Sequence, residues 1–236
     1  MQLAPDHIEL VCDEMQLVNE VLPQGARVLE LGCGKGEKTR LIAQGGRAAS
    51  ILALEVDRVQ HEKNMQVADL PNVRFALGGA EDIPAEDASF DIVMMFKSLH
   101  HVPMEKMDRA LQEIRRVLKP GGLAYLSEPI FAGAFNDILR LFHDEEEVRK
   151  AAFAAIRRAV ETRQLSLIRQ IFFQAPVRYQ DFAQFERAVL KVTHTSHVLS
   201  PELYEEVRTR FERHVTPEGA LFHAPMRVDL LRKGAE

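Results

Sequence analysis

A glycine turn that follows directly on a short apolar run limits this chain more than any other stretch. It lies at Arg27–Lys38, RVLELGCGKGEK. Val28, Leu29 and Leu31 form the run, with one acid, Glu30, inside it. Gly32, Gly34 and Gly36 follow at alternate positions, and a helical segment, Lys38–Gln44, comes next. A buried strand that enters a glycine turn and then a helix brings backbone N–H groups and a helix N-terminus to one point. Glycine belongs there because a side chain would hold a ligand off the backbone, and because such a turn uses φ > 0. A dinucleotide fingerprint, G-x-G-x-x-G, sets its third glycine beneath a pyrophosphate. Here the third glycine comes one residue early and Glu37 fills the next position. A carboxylate there would repel a pyrophosphate, so the turn suits a ligand without phosphates.

The order acid-x-Gly-x-Gly-x-Gly after a first strand resembles motif I of the class I S-adenosylmethionine-dependent methyltransferases, and Leu29–Gly36 carries the match. The resemblance implies S-adenosylmethionine as cofactor, with Glu30, Gly32, Cys33, Gly34 and Gly36 around it. Strand two, Ser50–Glu55, is an apolar run ending in an acid. In an open parallel sheet, ligands lie outside the carboxyl ends of the strands. An ionised acid there accepts strong hydrogen bonds from a ribose diol. Glu55 is the candidate and Asp57 the competing acid; by resemblance Val56 packs on the adenine. A helix is expected over Val59–Ala68, and strand three over Val73–Leu77. In relatives the next turn reads Gly-Asp-Ala-Glu-x-Leu-Pro, but Gly79 stands at the aspartate's place here. That leaves Ala80 and Glu81 as adenine neighbours, with Glu81, Asp82 or backbone groups doing the aspartate's work.

Strand four, Asp91–Phe96, resembles motif IV, whose end faces the methionine part of the cofactor; this assigns Lys97 there. Leu99-His100-His101 matches the L-H-H of that family. His101 is a candidate base or substrate contact, and His100 a hydrogen-bonded tie between loop and helix. An amphipathic helix, Lys106–Leu118, runs through Pro120-Gly121-Gly122 into strand five, Leu123–Glu128. The text EIRRVLKPGGLAYLSEP is similar to the group that includes the C-methyltransferases of ubiquinone and menaquinone biosynthesis. The match covers Arg27–Pro129, somewhat under half of the chain.

Outside that region the reading rests on periodicity. Asp6–Leu22 is expected as a helix, as are Ala134–Phe142, Glu145–Ala159, Asp181–Val192 and a helix capped by Ser200 that runs to His214. Ala220–Leu231 should be an antiparallel last strand, with Pro225 at an edge or bulge. The expected fold is α/β, a doubly wound, mostly parallel seven-stranded sheet with a helical lid. Residues 1–129 and 200–236 form the cofactor domain, and residues 130–199 a lid that supplies substrate contacts. Tyr179 and His194 are its catalytic candidates, beside His143 and His197. His194 and His197 have an i, i+3 spacing but no carboxylate or cysteine cluster beside them, so no metal is expected.

A net charge of −5 argues against a dedicated nucleic-acid binder. Cys12 and Cys33 form no disulfide framework and fit a reducing compartment. With no apolar run near ~18 residues and no leader pattern, the cytoplasm is the default. The expected activity is methyl transfer to a small-molecule acceptor, with oligomeric state left open. Two alternatives remain: an RNA methyltransferase using the basic stretch Arg149–Arg178, and a non-catalytic cofactor-binding regulator.

Overall fold

Apolar runs alternating with amphipathic helices give parallel strands joined by helical crossovers. The computed structural model describes residues 1–191 and 198–235. Its strands are β1 (Ala26–Leu31), β2 (Ala48–Glu55), β3 (Val73–Leu77), β4 (Phe90–Phe96), β5 (Leu118–Pro129), β6 (Ser166–Tyr179), β7 (Val215–Thr216) and β8 (Gly219–Arg232). Its helices are α1 (Glu14–Val21), α2 (Glu37–Gln44), α3 (Arg58–Asn64), α4 (Met107–Val117), α5 (Ala134–Leu139), α6 (Glu146–Glu161), α7 (Phe182–Phe185) and α8 (Pro201–Glu212). The strand order is β3-β2-β1-β4-β5-β8-β6, with β7 paired to β8. Strands β1 to β5 are parallel, and β8 is antiparallel to both β5 and β6. The order turns back on itself at β1 and β4, so a crevice opens beyond their carboxyl ends.

The two faces of the sheet make two cores. Leu29, Leu31, Val93 and Leu126 pack with Ala110, Leu111 and Ile114 of α4 and with Ala152, Ala155 and Ile156 of α6. Val28, Ile51, Met94 and Phe173 pack with Leu17 and Val18 of α1 and Ile42 of α2. Burial on both faces explains why β1, β2 and β4 read as unbroken apolar runs rather than alternations.

Three expectations are corrected. The first helix is shorter than Asp6–Leu22. The Asp13 side chain accepts from the Met15 N–H at 2.8 Å and caps α1. Ahead of it the chain is extended along β6: the Gln174 N–H donates to the Leu10 carbonyl at 2.7 Å, and the Cys12 N–H to the Gln174 carbonyl. A free strand edge offered those backbone partners and overrode helical spacing.

Second, residues 130–199, expected as a helical insertion of the same domain, also contribute a strand to the sheet. Helix α6 lies in the main core, and β6 is the sheet's outer strand. Third, α8, expected in the cofactor domain, helps to build the cap. Strand β5 leaves β8 at the pair Pro129–Met226, whereas β6 stays paired with β8 as far as Tyr179–Ala220. The β6–β8 ribbon therefore extends beyond the parallel strands. On it sits a separate aromatic core of Phe135, Tyr179, Phe182, Phe185, Phe211 and Phe222 with α5, α7 and α8. Pro225 stands one residue past the last β5 pair, where its missing N–H breaks no bond to that neighbour.

Phe185 and Phe211 are fully buried, with ring centroids 4.9 Å apart. Phe185→Ala should cost about 3–5 kcal/mol in denaturant unfolding. Amide exchange should then rise first in residues 219–225 rather than in β1–β4; uniform acceleration across the sheet would contradict a separate cap core.

Candidate functional site

The crevice is set by how β1 ends. The Gly32 and Cys33 N–H groups both donate to the Leu54 carbonyl at 2.9 Å, which ties the turn to β2. All three glycines have positive φ, +69° at Gly32, +52° at Gly34 and +72° at Gly36. A Cβ on Gly32 would lie 2.7 Å from the Ser98 Cβ, and one on Gly36 would press on the Phe75 ring at 3.1 Å. Those two glycines are explained by packing. A Cβ on Gly34 would meet nothing within 4 Å. Gly34 thus faces open space at the switch point of the sheet, which is where a ligand can lie against the backbone.

Glu55, at the end of β2, is 8% exposed. Its Oε2 accepts from the Gly34 N–H at 2.7 Å, and its Oε1 from the Val56 and Asp57 N–H groups at 2.8 and 2.9 Å. Asp57 is spent elsewhere: its Oδ1 accepts from Val59 at 2.9 Å and caps α3. Asp57 is thus held as a helix cap, while Glu55 lies against Gly34. Val56 next to it is 65% exposed, an apolar side chain left uncovered at the mouth.

Glu30 is buried beneath the turn and accepts from the Thr39 hydroxyl at 2.6 Å. Burial pushes its carboxyl up to about 7, against the opposing pull of Thr39 and Lys38. Lys38 pairs with the buried Glu14 at 3.4 Å and lies over the Phe96 ring. Glu14 also receives the Tyr125 hydroxyl, at 3.5 Å. Cys33 is a free, buried thiol whose pKa is raised by desolvation. Its neighbour Asn64 donates to the Gly34 carbonyl at 2.8 Å and fixes the turn from the far side.

On the β3 side, Ala80 is buried, while Glu81 folds toward Gly79 and pairs with Lys106 at 3.0 Å. At the end of β4, Lys97 is exposed with φ +53°, and its N–H donates to the Ser127 carbonyl at 2.7 Å. A non-glycine residue in that region costs about 1 kcal/mol or more and marks a constrained strand end.

Beyond it lies a buried group of charges. His100 Nδ1 contacts Glu128 Oε2 at 2.5 Å, and Glu128 Oε1 accepts from the Leu99 N–H at 2.9 Å. Glu145 brings Oε1 to 3.6 Å from His100 Nε2, 3.9 Å from His101 Nδ1 and 2.9 Å from His143 Nε2. Its Oε2 takes Arg149 at 2.6 Å. Despite desolvation, the two carboxylates hold His100 up at about 9. His100 is thus the tie that its position suggested, whereas His101 is largely exposed beside it.

The structure does not gather all the catalytic candidates. Tyr179 lies in the aromatic core, stacked near Phe135 and edge-on to Phe185, and burial pushes its phenol up to about 12. Such a phenol is a hydrogen-bond donor at neutral pH, not a base. His194 and His197 lie outside the described residues. Glu14, Lys38, Glu128 and Glu145 were not singled out by sequence reasoning. Only Glu128, an acid at the end of a central strand, carried a signal of the kind that found Glu55.

The Methyltransferase domain family matches residues 28–122. A phthiotriol/phenolphthiotriol dimycocerosates methyltransferase of Mycobacterium ulcerans is 34% identical over 50% of this chain and 41% of its own length. An O-methyltransferase of Aspergillus nomiae is 35% identical over 51% of this chain and 55% of its own. The chain thus spans about half the length of such curated relatives, or less. The YcgJ protein of Bacillus subtilis has the same fold, with a TM-score of 0.65 at 18% identity over 93% of this chain and 97% of its own. No helix among the described residues is long and apolar enough to cross a membrane.

A folded carboxyl at about 7 against an ordinary 4.5 means that the folded state holds the Glu30 proton longer. Its effect on stability is therefore absent below about pH 4.5, and stability falls as pH rises through 7. Glu30→Gln should gain on the wild type by on the order of 2–3 kcal/mol at pH 8, and by little at pH 4.5. Denaturant melts at both pH values decide this, and equal differences would refute it.

Proposed function

We propose that this chain, which carries a class I S-adenosylmethionine-dependent methyltransferase domain across residues 28–122, moves a methyl group from S-adenosylmethionine to a small-molecule acceptor. One observation carries the reading. At the switch point, Gly34 faces open space beside the Glu55 carboxylate, while Gly32 and Gly36 are held by packing. A nucleoside without phosphates suits that pair, and a pyrophosphate facing Glu55 and Glu37 does not.

The cofactor supplies a methyl on a sulfonium, which is already an activated leaving group. What the chain adds is position and dryness. Glu55 has lone pairs left after its three N–H partners, and these accept from sugar hydroxyls. Val56 offers an apolar face to a base, with Ala80 and Glu81 on the β3 side. Glu30 is neutral or ionised near pH 7, and a cation brought close favours its ionised form. Glu14, Lys38 and the constrained Lys97 frame the end of the crevice nearest β4. Beyond them, His101 is a polar group that can accept a hydrogen bond from an acceptor hydroxyl; desolvation and the neighbouring His100 push its imidazole down to about 4.

The acceptor is read as a small molecule because much of the basic stretch is paired with carboxylates. Lys150, Arg157, Arg158 and Arg169 each lie within 3.4 Å of a carboxylate, and Arg149 is buried against Glu145. Paired cations make a poor phosphate footprint. Relatives named for lipid and other small acceptors support the same class.

Calorimetry with adenosylhomocysteine tests the cofactor site. Gly34→Val should weaken binding about tenfold or more, because each factor of ten is only 1.4 kcal/mol and the added side chain fills the open face. Glu55→Gln removes charge from the sugar contacts and should cost a similar factor. Unchanged affinity in Gly34→Val would reject the site.

A further inference from the structure

A single carboxylate oxygen, Glu145 Oε1, is surrounded by three imidazole nitrogens. His100 Nε2 lies 3.6 Å away, His101 Nδ1 3.9 Å and His143 Nε2 2.9 Å. The ligand atoms of His100, His101 and Glu145 all lie within 4.8 Å of one another. A tetrahedral ion with bonds near 2.0–2.1 Å sets its ligand atoms about 3.3 Å apart. The observed separations bracket that value, and small side-chain rotations close the rest.

We propose that His100, His101 and Glu145 bind one divalent transition ion of the zinc class. The surroundings match what such a site requires. A metal-binding imidazole has its other nitrogen held by a carboxylate or carbonyl, which fixes the tautomer and the ring. His100 Nδ1 is held in this way by Glu128, itself fixed by the Leu99 N–H. A carboxylate ligand is likewise oriented through its second oxygen. Arg149 takes Glu145 Oε2 at 2.6 Å, and Asn136 takes Arg149 at 2.9 Å. His100, Glu128, Glu145, Arg149 and Asn136 are all buried, so these orientations are set by packing. His101 is more than half exposed and opens the group toward solvent.

A plain ion-pair cluster explains less. Glu145 is already paired by Arg149 and His100, so an ion pair gives no reason for His101 to turn Nδ1 toward the same carboxylate. Two or three imidazoles with one carboxylate suit zinc, cobalt or nickel rather than magnesium or calcium, which take oxygen ligands. The sequence disguises the site. Its donors come from the loop after β4 and the loop before α6, and neither stretch has the spacing of a known metal motif.

The site's use rests on the proposed methyl-transfer reading. His101 lies just beyond the end of β4, on the acceptor side. In place of a contact to His101, an ion there would bind an acceptor oxygen directly and make its hydroxyl a stronger acid, the proton leaving to solvent on the open side of the group. The acceptor class is then an oxygen nucleophile.

The test needs no acceptor. Full-length protein is stripped with a chelator, and zinc and cobalt are titrated with metal analysis after gel filtration. One ion per chain is expected, with visible cobalt absorption of a nitrogen–oxygen site. His101→Ala, whose side chain is largely exposed and leaves the fold intact by circular dichroism, should lose the cobalt spectrum and the tight zinc. Glu128→Gln touches no metal and should weaken zinc 10–100-fold, as removal of an orienting partner does. Absence of stoichiometric zinc and cobalt binding would overturn the proposal, as would binding unchanged in His101→Ala. Adenosylhomocysteine binding on the same stripped sample reports the cofactor site separately, so failure of one reading leaves the other standing.

Discussion

Glu55 turns its carboxylate back onto the chain, taking the N–H groups of Gly34, Val56 and Asp57, and the mouth of the crevice is built on that arrangement. It joins the turn after β1 to the end of β2, and it holds Gly34 with its bare face outward. The αL glycine, the exposed Val56 and the capping role of Asp57 all follow from where this one side chain points.

The parallel half of the fold was legible because burial on both faces writes itself as apolar runs, and because glycine turns fall at their ends. Strands β1 to β4 lie within two residues of where periodicity put them. The resemblance over Arg27–Pro129 added the order of the strand-end residues. The second half was less legible. β6 is an outer strand with one face partly wet, and its polar residues interrupt any apolar run that would have marked it as a strand. The start of the chain has helical spacing, but the β6 edge offered it backbone partners. Neither contest is visible without knowing which strand lies outermost. Glu145 was legible only as a first-turn acid; its partners His100 and His101 are more than 40 residues away, and only the fold brings them together.

Burying His100, Glu128, Glu145 and Arg149 is expensive unless each charge is matched. Their geometry meets that condition and joins three parts of the fold: the loop after β4, the end of β5 and the loop before α6. Through Arg149 and Asn136 the group also reaches α5, so a displacement of that helix would have to break a buried hydrogen bond.

The extended residues before α1 lie parallel to β6 along the sheet's outer margin, bonded at Leu10, Cys12 and Gln174. An outermost strand without such cover is adhesive toward other chains. Pro176 removes one donor from that margin, but the remainder depends on the overlying residues. A protease that trimmed residues 1–12 would leave the crevice residues untouched and still convert the protein into a clumping species. The tail is, in effect, the molecule's insulation.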